Sequence, residues 1–282
     1  MKKSEDLVKF VFGVLTLLSC FIAVQAQAQT WQTGENHGGD QWDVSAGAGV
    51  LVAPSYFGDD AYQFMAVPDI RVSYGDTFFA SMQDGAGYNI IHTAHWKVGP
   101  LLRYDFGRDE DGDSTFRIGG DKTDDLRGLG DVDGSLEIGA YVEYDMAPLN
   151  LKVELLQGMG GHEGLVGNAS LKYKGRAQLH DKAILYAFGP EIDFADSSYH
   201  ESYFGVNSRQ SAASGLAEYD PGAGVLSYGI GSSAIVPLTD TISTIFFASY
   251  NHLGSEAAHS SLVEERGSKH QGAAGAFITY RF

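Results

Sequence analysis

Apolar and polar side chains alternate with a period of two through much of this chain. From residue 42 every second side chain is apolar, in Trp42, Val44, Ala46, Ala48, Val50 and Val52. The residues between them are polar or small, except Leu51. Successive side chains of a strand point to opposite faces of a sheet. The pattern therefore predicts a strand with one apolar face and one polar or small face.

The same alternation returns in later segments, which begin at Phe64, Trp96, Val132, Leu151, Leu165 and Ile184. Strands of membrane barrels alternate in this way over about ten residues, with apolar side chains towards lipid. We therefore predict an all-β fold, a transmembrane antiparallel β-barrel. A secreted β-sandwich also alternates and is the alternative. Segments 223–235 and 241–252 alternate poorly, so their faces stay open.

The face opposite the apolar one carries charges of both signs. These residues are Arg71, Lys97, Arg103, Lys152, Lys172 and Arg281, with Asp43, Asp69, Asp105, Glu137, Glu143, Glu154, Glu191 and Asp193. In a barrel they would line the lumen. Mixed charges at this density predict either a salt-bridged plug or a narrow selective pore.

Links between the predicted strands alternate in length. The short ones are Gly75-Asp76, His92–His95, Ala147–Asn150, Ala177–Asp181 and Pro237–Asp240, and the long ones are 54–61, 107–131, 158–164, 196–219 and 253–270. Bacterial barrels have short periplasmic turns and long extracellular loops. A tight outer turn near Asp84-Gly85 then gives about 12 strands over residues 42–282, or 10 if one hairpin is misread.

Residues 1–28 have the organisation of a secretory signal peptide. Lys2, Lys3 and Lys9 form a basic head, and the segment 10–24 is apolar. Small residues then place cleavage after Ala26 or Ala28. An uncleaved N-terminal anchor and a lipoprotein attached at Cys20 are the alternatives. Residues 29–41 would form a periplasmic N-terminal segment.

Cleavage would leave an acidic chain without cysteine. The mature chain would hold 16 basic and 34 acidic side chains, a net charge of −18. Nucleic acid is excluded as a partner, because phosphates require a basic surface. Cys20 is the single cysteine of the chain. A thiol nucleophile and a thiolate-bound metal are therefore excluded as well.

The last segment alternates to the end of the chain. Ala274, Ala276, Ile278, Tyr280 and Phe282 share one face, while Phe277 departs from the pattern on the other. A final strand ending in aromatic-x-Phe resembles the signal by which the barrel assembly machinery reads outer-membrane proteins. This machinery, outer-membrane lipid and lipopolysaccharide are the expected envelope partners.

Three groups of residues could carry chemistry. Asp109–Asp113, with Asp121, Asp124 and Asp125 nearby, resembles part of a calcium loop but lacks the distal glutamate. Gly161-His162-Glu163-Gly164 offers too few ligands for a metal and indicates a turn. His252, Ser255 and His259 lack a nucleophile motif. We therefore predict no catalytic, cofactor or metal site, and expect that the protein is not an enzyme.

Several short stretches, in their order and spacing, resemble the MltA-interacting protein (MipA/OmpV) family of outer-membrane proteins. They are Ala53-Pro54-Ser55-Tyr56-Phe57-Gly58, Gly85-Ala86-Gly87-Tyr88-Asn89, Gly128-Leu129-Gly130-Asp131, Gly161-His162-Glu163-Gly164, Tyr203-Phe204-Gly205-Val206 and Tyr280-Arg281-Phe282. The resemblance implies an outer-membrane barrel. It also implies a scaffold that holds a lytic murein transglycosylase beside a murein synthase. A narrow porin-like channel for small solutes is the alternative.

Overall fold

The computed structural model describes residues 41–112, 116–179 and 182–282. The predicted signal peptide and the predicted periplasmic segment, except Gln41, lie outside these residues and stay predictions. No helix of the described part is long and apolar enough to cross a membrane.

Strands make up most of the described chain. They are β1 (Trp42–Pro54), β2 (Tyr62–Tyr74), β3 (Phe78–Ser81), β4 (Gly85–Tyr88), β5 (Ile91–His92), β6 (Trp96–Asp105), β7 (Arg117–Gly120), β8 (Ser135–Met146), β9 (Leu149–Gly160), β10 (Leu165–Leu179), β11 (Lys182–Ala195), β12 (Gly224–Pro237), β13 (Ile242–Leu253) and β14 (His270–Arg281). The helices are α1 (Ser197–Phe204), α2 (Ser208–Ser214), α3 (Ser255–Ala258) and α4 (Ser261–Arg266).

Twelve of these strands close into an antiparallel barrel. Each pairs with its neighbour in the order β1-β2-β3-β4-β6-β8-β9-β10-β11-β12-β13-β14, and β14 pairs with β1 from Arg281 opposite Ser45 to Ala274 opposite Val52. The short β5 pairs with β6 next to β4. Its register on β6 differs by one residue from that of β4, as at a β-bulge. The prediction of 12 strands is confirmed.

Both ends of the described strands' sequence, residues 42 and 282, and the short turns lie at one end of the barrel. Phe282 N donates to Val44 O there, and the turns between β2 and β3, β5 and β6, β8 and β9, and β12 and β13 lie at the same end. The described parts of the long links and the four helices of the described residues lie at the other end. The tight turn at Met82–Asp84, between β3 and β4, is where the sequence predicts it.

The outer surface of the barrel is apolar, as the alternation predicts. Side chains such as Leu155, Phe188 and Ile278 are about half exposed, although they project from the inner part of their strands. Aromatic rings pack together near the short-turn end, where Trp42 lies 5.0 Å from Tyr74 and Trp96 lies 4.4 Å from Tyr144 between ring centroids. Such girdles mark the boundary of the hydrocarbon layer.

Leu155→Arg should destabilise the barrel by about 2–4 kcal/mol, because it places a charge near the middle of the hydrocarbon layer. Ala177→Arg is the matched control, since Ala177 is exposed on β10 beyond the aromatic girdle. Urea unfolding in lipid vesicles, followed by tryptophan fluorescence, measures both. Equal unfolding midpoints for the two variants would show that the Leu155 face does not contact hydrocarbon.

Candidate functional site: the barrel lumen

A belt of paired charges crosses the inner wall on β6, β8 and β9. Arg103 is opposite Glu137 in the strand register, and its Nε lies 2.6 Å from Glu137 Oε2. Its Nη1 lies 3.4 Å from Glu154 Oε2, and Lys152 Nζ lies 2.5 Å from Glu154 Oε1. Both glutamates are buried. The four charges alternate in sign, so each carboxylate has a cationic partner.

The belt continues on both sides of this group. On β10 and β11, Lys172 Nζ lies 2.7 Å from Glu191 Oε2, and both side chains are 6% exposed. On β2, Arg71 Nε lies 3.1 Å from Asp69 Oδ1. The sequence predicts that these charged side chains face the lumen. Which of them form ion pairs follows only from the register of the strands. Because the paired charges are buried, the geometry favours the salt-bridged plug over an open pore.

The opposite part of the inner wall is apolar. Leu51, Met65, Val67, Ile245, Phe247 and Phe277 form one buried cluster on β1, β2, β13 and β14. The rings of Phe247 and Phe277 stack with centroids 5.9 Å apart. This cluster explains why Leu51 and Phe277 break the predicted alternation. At these two positions the inward side chain is apolar as well, because it packs inside the lumen while its neighbours along the strand meet lipid.

A cavity of about 150 Å³ lies between the charged and the apolar parts of the wall. It touches Arg103 and Glu137 on one side, and Val67 and Phe277 on the other. It also reaches Gln83 at the tip of the short β3–β4 hairpin. Small-molecule sites usually have roughly 300–1,000 Å³. The cavity is therefore small for a binding pocket.

The outer end of the lumen is covered by the long loops and helices. Phe204 of α1 and Leu262 of α4 are buried, and Ser260 Oγ donates to Phe204 O. Arg108 Nη1 donates to Tyr203 O, which ties the loop after β6 to α1. Burial lowers the pKa of His200 below its ordinary value, which favours the neutral form at neutral pH. These contacts form a packed lid.

His162 lies in a place that sequence reasoning did not predict. The turn 161–164 is present, but the His162 ring is buried with Nε2 3.4 Å from Glu137 Oε1 and 3.8 Å from Asp105 Oδ2. One histidine and two carboxylates could hold a metal ion. Arg103 Nε already pairs with Glu137 at 2.6 Å, while both ring nitrogens of His162 lack a hydrogen-bond partner. Glu163 is exposed.

The acidic residues of the predicted calcium-like loop have separate partners in the structure. Asp113 lies outside the described residues. Glu110 accepts a hydrogen bond from Gly128 N, and Asp124 forms an exposed ion pair of 2.9 Å with Arg127. Asp125 instead lies close to Asp59 and Asp60, which come from the loop between β1 and β2. Sequence spacing gave no signal for that grouping.

The third candidate group, His252, Ser255 and His259, does not form a catalytic arrangement. His252 contacts Leu253 O through Nδ1, and its ring stacks on Tyr228 with centroids 5.3 Å apart. His259 N donates to the main-chain oxygen of Ser255, but within residues 41–112, 116–179 and 182–282 no side-chain hydrogen bond joins Ser255 to His252 or to His259.

The model of the family described as "MltA-interacting protein MipA" matches residues 46–282. The chain belongs to this family. The Vibrio cholerae serotype O1 (strain ATCC 39315 / El Tor Inaba N16961) protein "Outer membrane protein OmpV" is 34% identical over 91 residues, which are 32% of this chain and 34% of that protein. "Outer membrane protein Omp26La" of Vibrio anguillarum has the same identity and coverage. The match thus spans about a third of these relatives.

This MipA family member is also similar to solved barrels. The NanC porin has a TM-score of 0.36 and 9% identity, over 86% of this chain and all of that one. The β domain of the Bordetella autotransporter BrkA has a TM-score of 0.39 and 10% identity, over 86% of this chain and all of that one. The barrel fold and the two relatives' names place the MipA family member in the outer membrane.

Lys172→Met should destabilise this MipA family barrel by about 3–5 kcal/mol, because it leaves Glu191 buried without its partner. The double variant Lys172→Met, Glu191→Leu should recover most of that loss, since no unpaired charge remains. Urea unfolding of both variants and of the unaltered protein measures the effect. A double variant as unstable as the single one would show that the ion pair itself stabilises the fold.

Proposed function

We propose that this protein is a non-catalytic scaffold of the outer membrane, which docks enzymes of murein lysis and synthesis at its periplasmic end. The name of the matching family describes an interaction with MltA. From the family resemblance we take this partner to be a lytic murein transglycosylase, with a murein synthase as the second. A scaffold needs a rigid body and an accessible docking surface on the periplasmic side.

The observation that carries the proposal is a hairpin that projects beyond the short-turn end. The pairing of β10 with β9 ends at Tyr173 opposite Leu149, but its pairing with β11 continues to Leu179 opposite Lys182. The sequence predicts a short link at Ala177–Asp181, whereas the strands run on to Leu179 and resume at Lys182. Six residues of β10 beyond Tyr173 correspond to roughly 20 Å of strand.

This hairpin is described over residues 174–179 and 182–184. Residues 176–179 are exposed. The pairing of β10 with β9 ends at Tyr173, and Lys174 N donates to Pro148 O just beyond it. An exposed strand edge can accept a strand from a partner protein through backbone hydrogen bonds. The hairpin therefore supplies the surface that short turns alone would lack.

The charge of the hairpin differs from that of the whole chain. In sequence it has three basic residues, Lys174, Arg176 and Lys182, against one acidic residue, Asp181, although acidic residues exceed basic ones by 17 in the full sequence. Lys174 pairs with Asp145 at 3.2 Å, and Lys182 donates to Leu238 O. A partner with an acidic edge strand would match this surface. Rim charges of this kind mainly increase association rates.

The two alternative functions have less support. A channel needs a wet lumen, whereas the charged belt is buried and the cavity is small. An embedded enzyme needs a nucleophile with a partnered base, and Ser255 lacks one in the described residues. The rigid, filled barrel suits a docking platform. Residues 29–41 would provide a second periplasmic contact if the predicted signal peptide is removed.

Photo-crosslinking in intact cells tests the proposal. A photoreactive amino acid at Ala177 should capture a lytic murein transglycosylase or a murein synthase, identified by mass spectrometry. The same amino acid at Glu218 is the control, because Glu218 is exposed at the opposite end of the barrel. Recovery of neither enzyme from Ala177, or equal recovery from both positions, contradicts the proposal.

A shortened hairpin tests whether this surface is the docking site. Replacing residues 176–185 by Asn-Gly keeps Gly175 opposite Tyr186 and should reduce recovery of the enzymes by about tenfold, equivalent to about 1.4 kcal/mol of binding. Replacing residues 239–241 by Asn-Gly is the control, since it alters the neighbouring short turn and keeps Leu238 opposite Ile242. Unchanged recovery with the shortened hairpin would assign docking elsewhere on the protein.

A further inference from the structure

Three carboxylates from separate outer loops converge under the lid. Asp59 and Asp60 lie between β1 and β2, and Asp125 lies between β7 and β8. Each offers an oxygen, and these oxygens all lie within 4.8 Å of one another. This group is called the lid carboxylates. Asp59 is buried, Asp125 is half-buried and Asp60 is exposed.

The buried carboxylate has an unsatisfied oxygen. Asp59 is 0% exposed; its Oδ1 accepts a hydrogen bond of 3.1 Å from Ala61 N, and its Oδ2 has no hydrogen bond. The hydroxyl of Tyr56 has none either, and Tyr56 is buried in one cluster with Leu126, the neighbour of Asp125. A buried polar atom without a partner costs about 1–3 kcal/mol, so the free oxygen of Asp59 with Tyr56 close to the same loop indicates a missing ligand.

The charges acting on this place are predominantly negative. Oxygens of Asp59, Asp60 and Asp125 lie within 4.8 Å of one another, so three like charges meet here. No salt bridge within the described residues joins a lid carboxylate to a lysine or an arginine. Arg266 donates through Nη1 to the main-chain oxygen of Asp125, and Arg108, whose charge acts on Tyr56, donates through Nη1 to Tyr203 O. The missing ligand is therefore a cation.

We propose that Asp59, Asp60 and Asp125 bind one calcium ion, which joins the outer loops of the lid. The ligands are oxygens only, which selects a hard cation over zinc or copper. Their origin in separate loops suits the flexible coordination of Ca²⁺ better than the strict octahedron of Mg²⁺. Water would complete the coordination at the exposed side, next to Asp60.

The main chain around the site shows what the ion would hold together. Asp59 O accepts a hydrogen bond from Gln271 Nε2. Asp59 also forms an isolated antiparallel β-bridge with Gly267 in the loop before β14. Asp125 O accepts from Arg266 of α4. The ion would therefore join the loops after β1 and β7 to the loop that carries α4. Extracellular calcium modules bind at roughly 10⁻⁴–10⁻³ M, and we expect an affinity of that order.

Terbium luminescence tests the site directly, because Tb³⁺ replaces Ca²⁺ and is excited through nearby tyrosines such as Tyr56. The full protein is purified from outer membranes, freed of lipopolysaccharide and bound cations with a chelator, and kept in detergent. We expect emission that Ca²⁺ displaces. Absence of displaceable emission, or displacement by Mg²⁺ at the same concentration, overturns the proposal.

Variants test whether the emission comes from an ion bound at the lid carboxylates. Asp60→Asn and Asp125→Asn should each abolish it, and neither replaces the fully buried Asp59, so folding is not at risk at that position. Asp121→Asn with Asp124→Asn is the matched control, because both residues are exposed acids of the same loop. Emission unchanged in the first two variants, or lost equally in the control, shows diffuse binding to acidic loops instead.

Limited proteolysis gives a second readout. Trypsin can cut after Lys122 and Arg127, which flank Asp125. If cleavage requires opening of the loop, Ca²⁺ at about ten times its dissociation constant should slow it by about tenfold. Asp125→Asn should remove this protection. Equal cleavage rates with and without Ca²⁺ in the unaltered protein contradict the joining role.

Discussion

Within lipid every backbone N–H and C=O needs a partner in the protein, and the pairing of β14 with β1 meets this demand for the last open edge. The remaining structure depends on this closure. It forces each strand to present one face to hydrocarbon and one to a narrow lumen. It also brings both ends of the described chain to the short-turn end, where Phe282 contacts Val44.

Closure of the barrel leaves a lumen that is filled by two chemically different groups of side chains. Paired charges such as Arg103 and Glu137 occupy one part, and rings such as Phe247 and Phe277 occupy another. Buried ion pairs contribute little net stability, but each is costly to break, which keeps the charged belt in one arrangement. The packed lid closes the outer end, so the accessible surfaces with a specific shape are the lid and the projecting hairpin.

Much of the barrel could be predicted from the sequence, because the period of two directly reports which side chains face lipid. The strand count followed from turn spacing, including the tight turn before Gly85. The exceptions Leu51 and Phe277 could be seen but not explained, since the apolar part of the lumen exists only after β13, β14, β1 and β2 are adjacent. Sequence patterns also do not show the register of neighbouring strands, and this register determines which charged side chains form ion pairs.

The candidate sites were less predictable for the same physical reason. Asp59 and Asp125 are distant in sequence and meet only because two loops fold over the same end of the barrel. His162 looked like part of a simple turn, yet it lies against Glu137 of β8. The projecting hairpin was predicted as a short link, because alternation does not show where a strand leaves the membrane.

The most direct test of this account is single-channel conductance of the purified protein in planar bilayers. A lumen filled by paired charges and stacked rings predicts no stable conductance at neutral pH and moderate voltage. A steady open state with the conductance of a water-filled barrel of this size would contradict the closed lumen, and with it the scaffold as the main function.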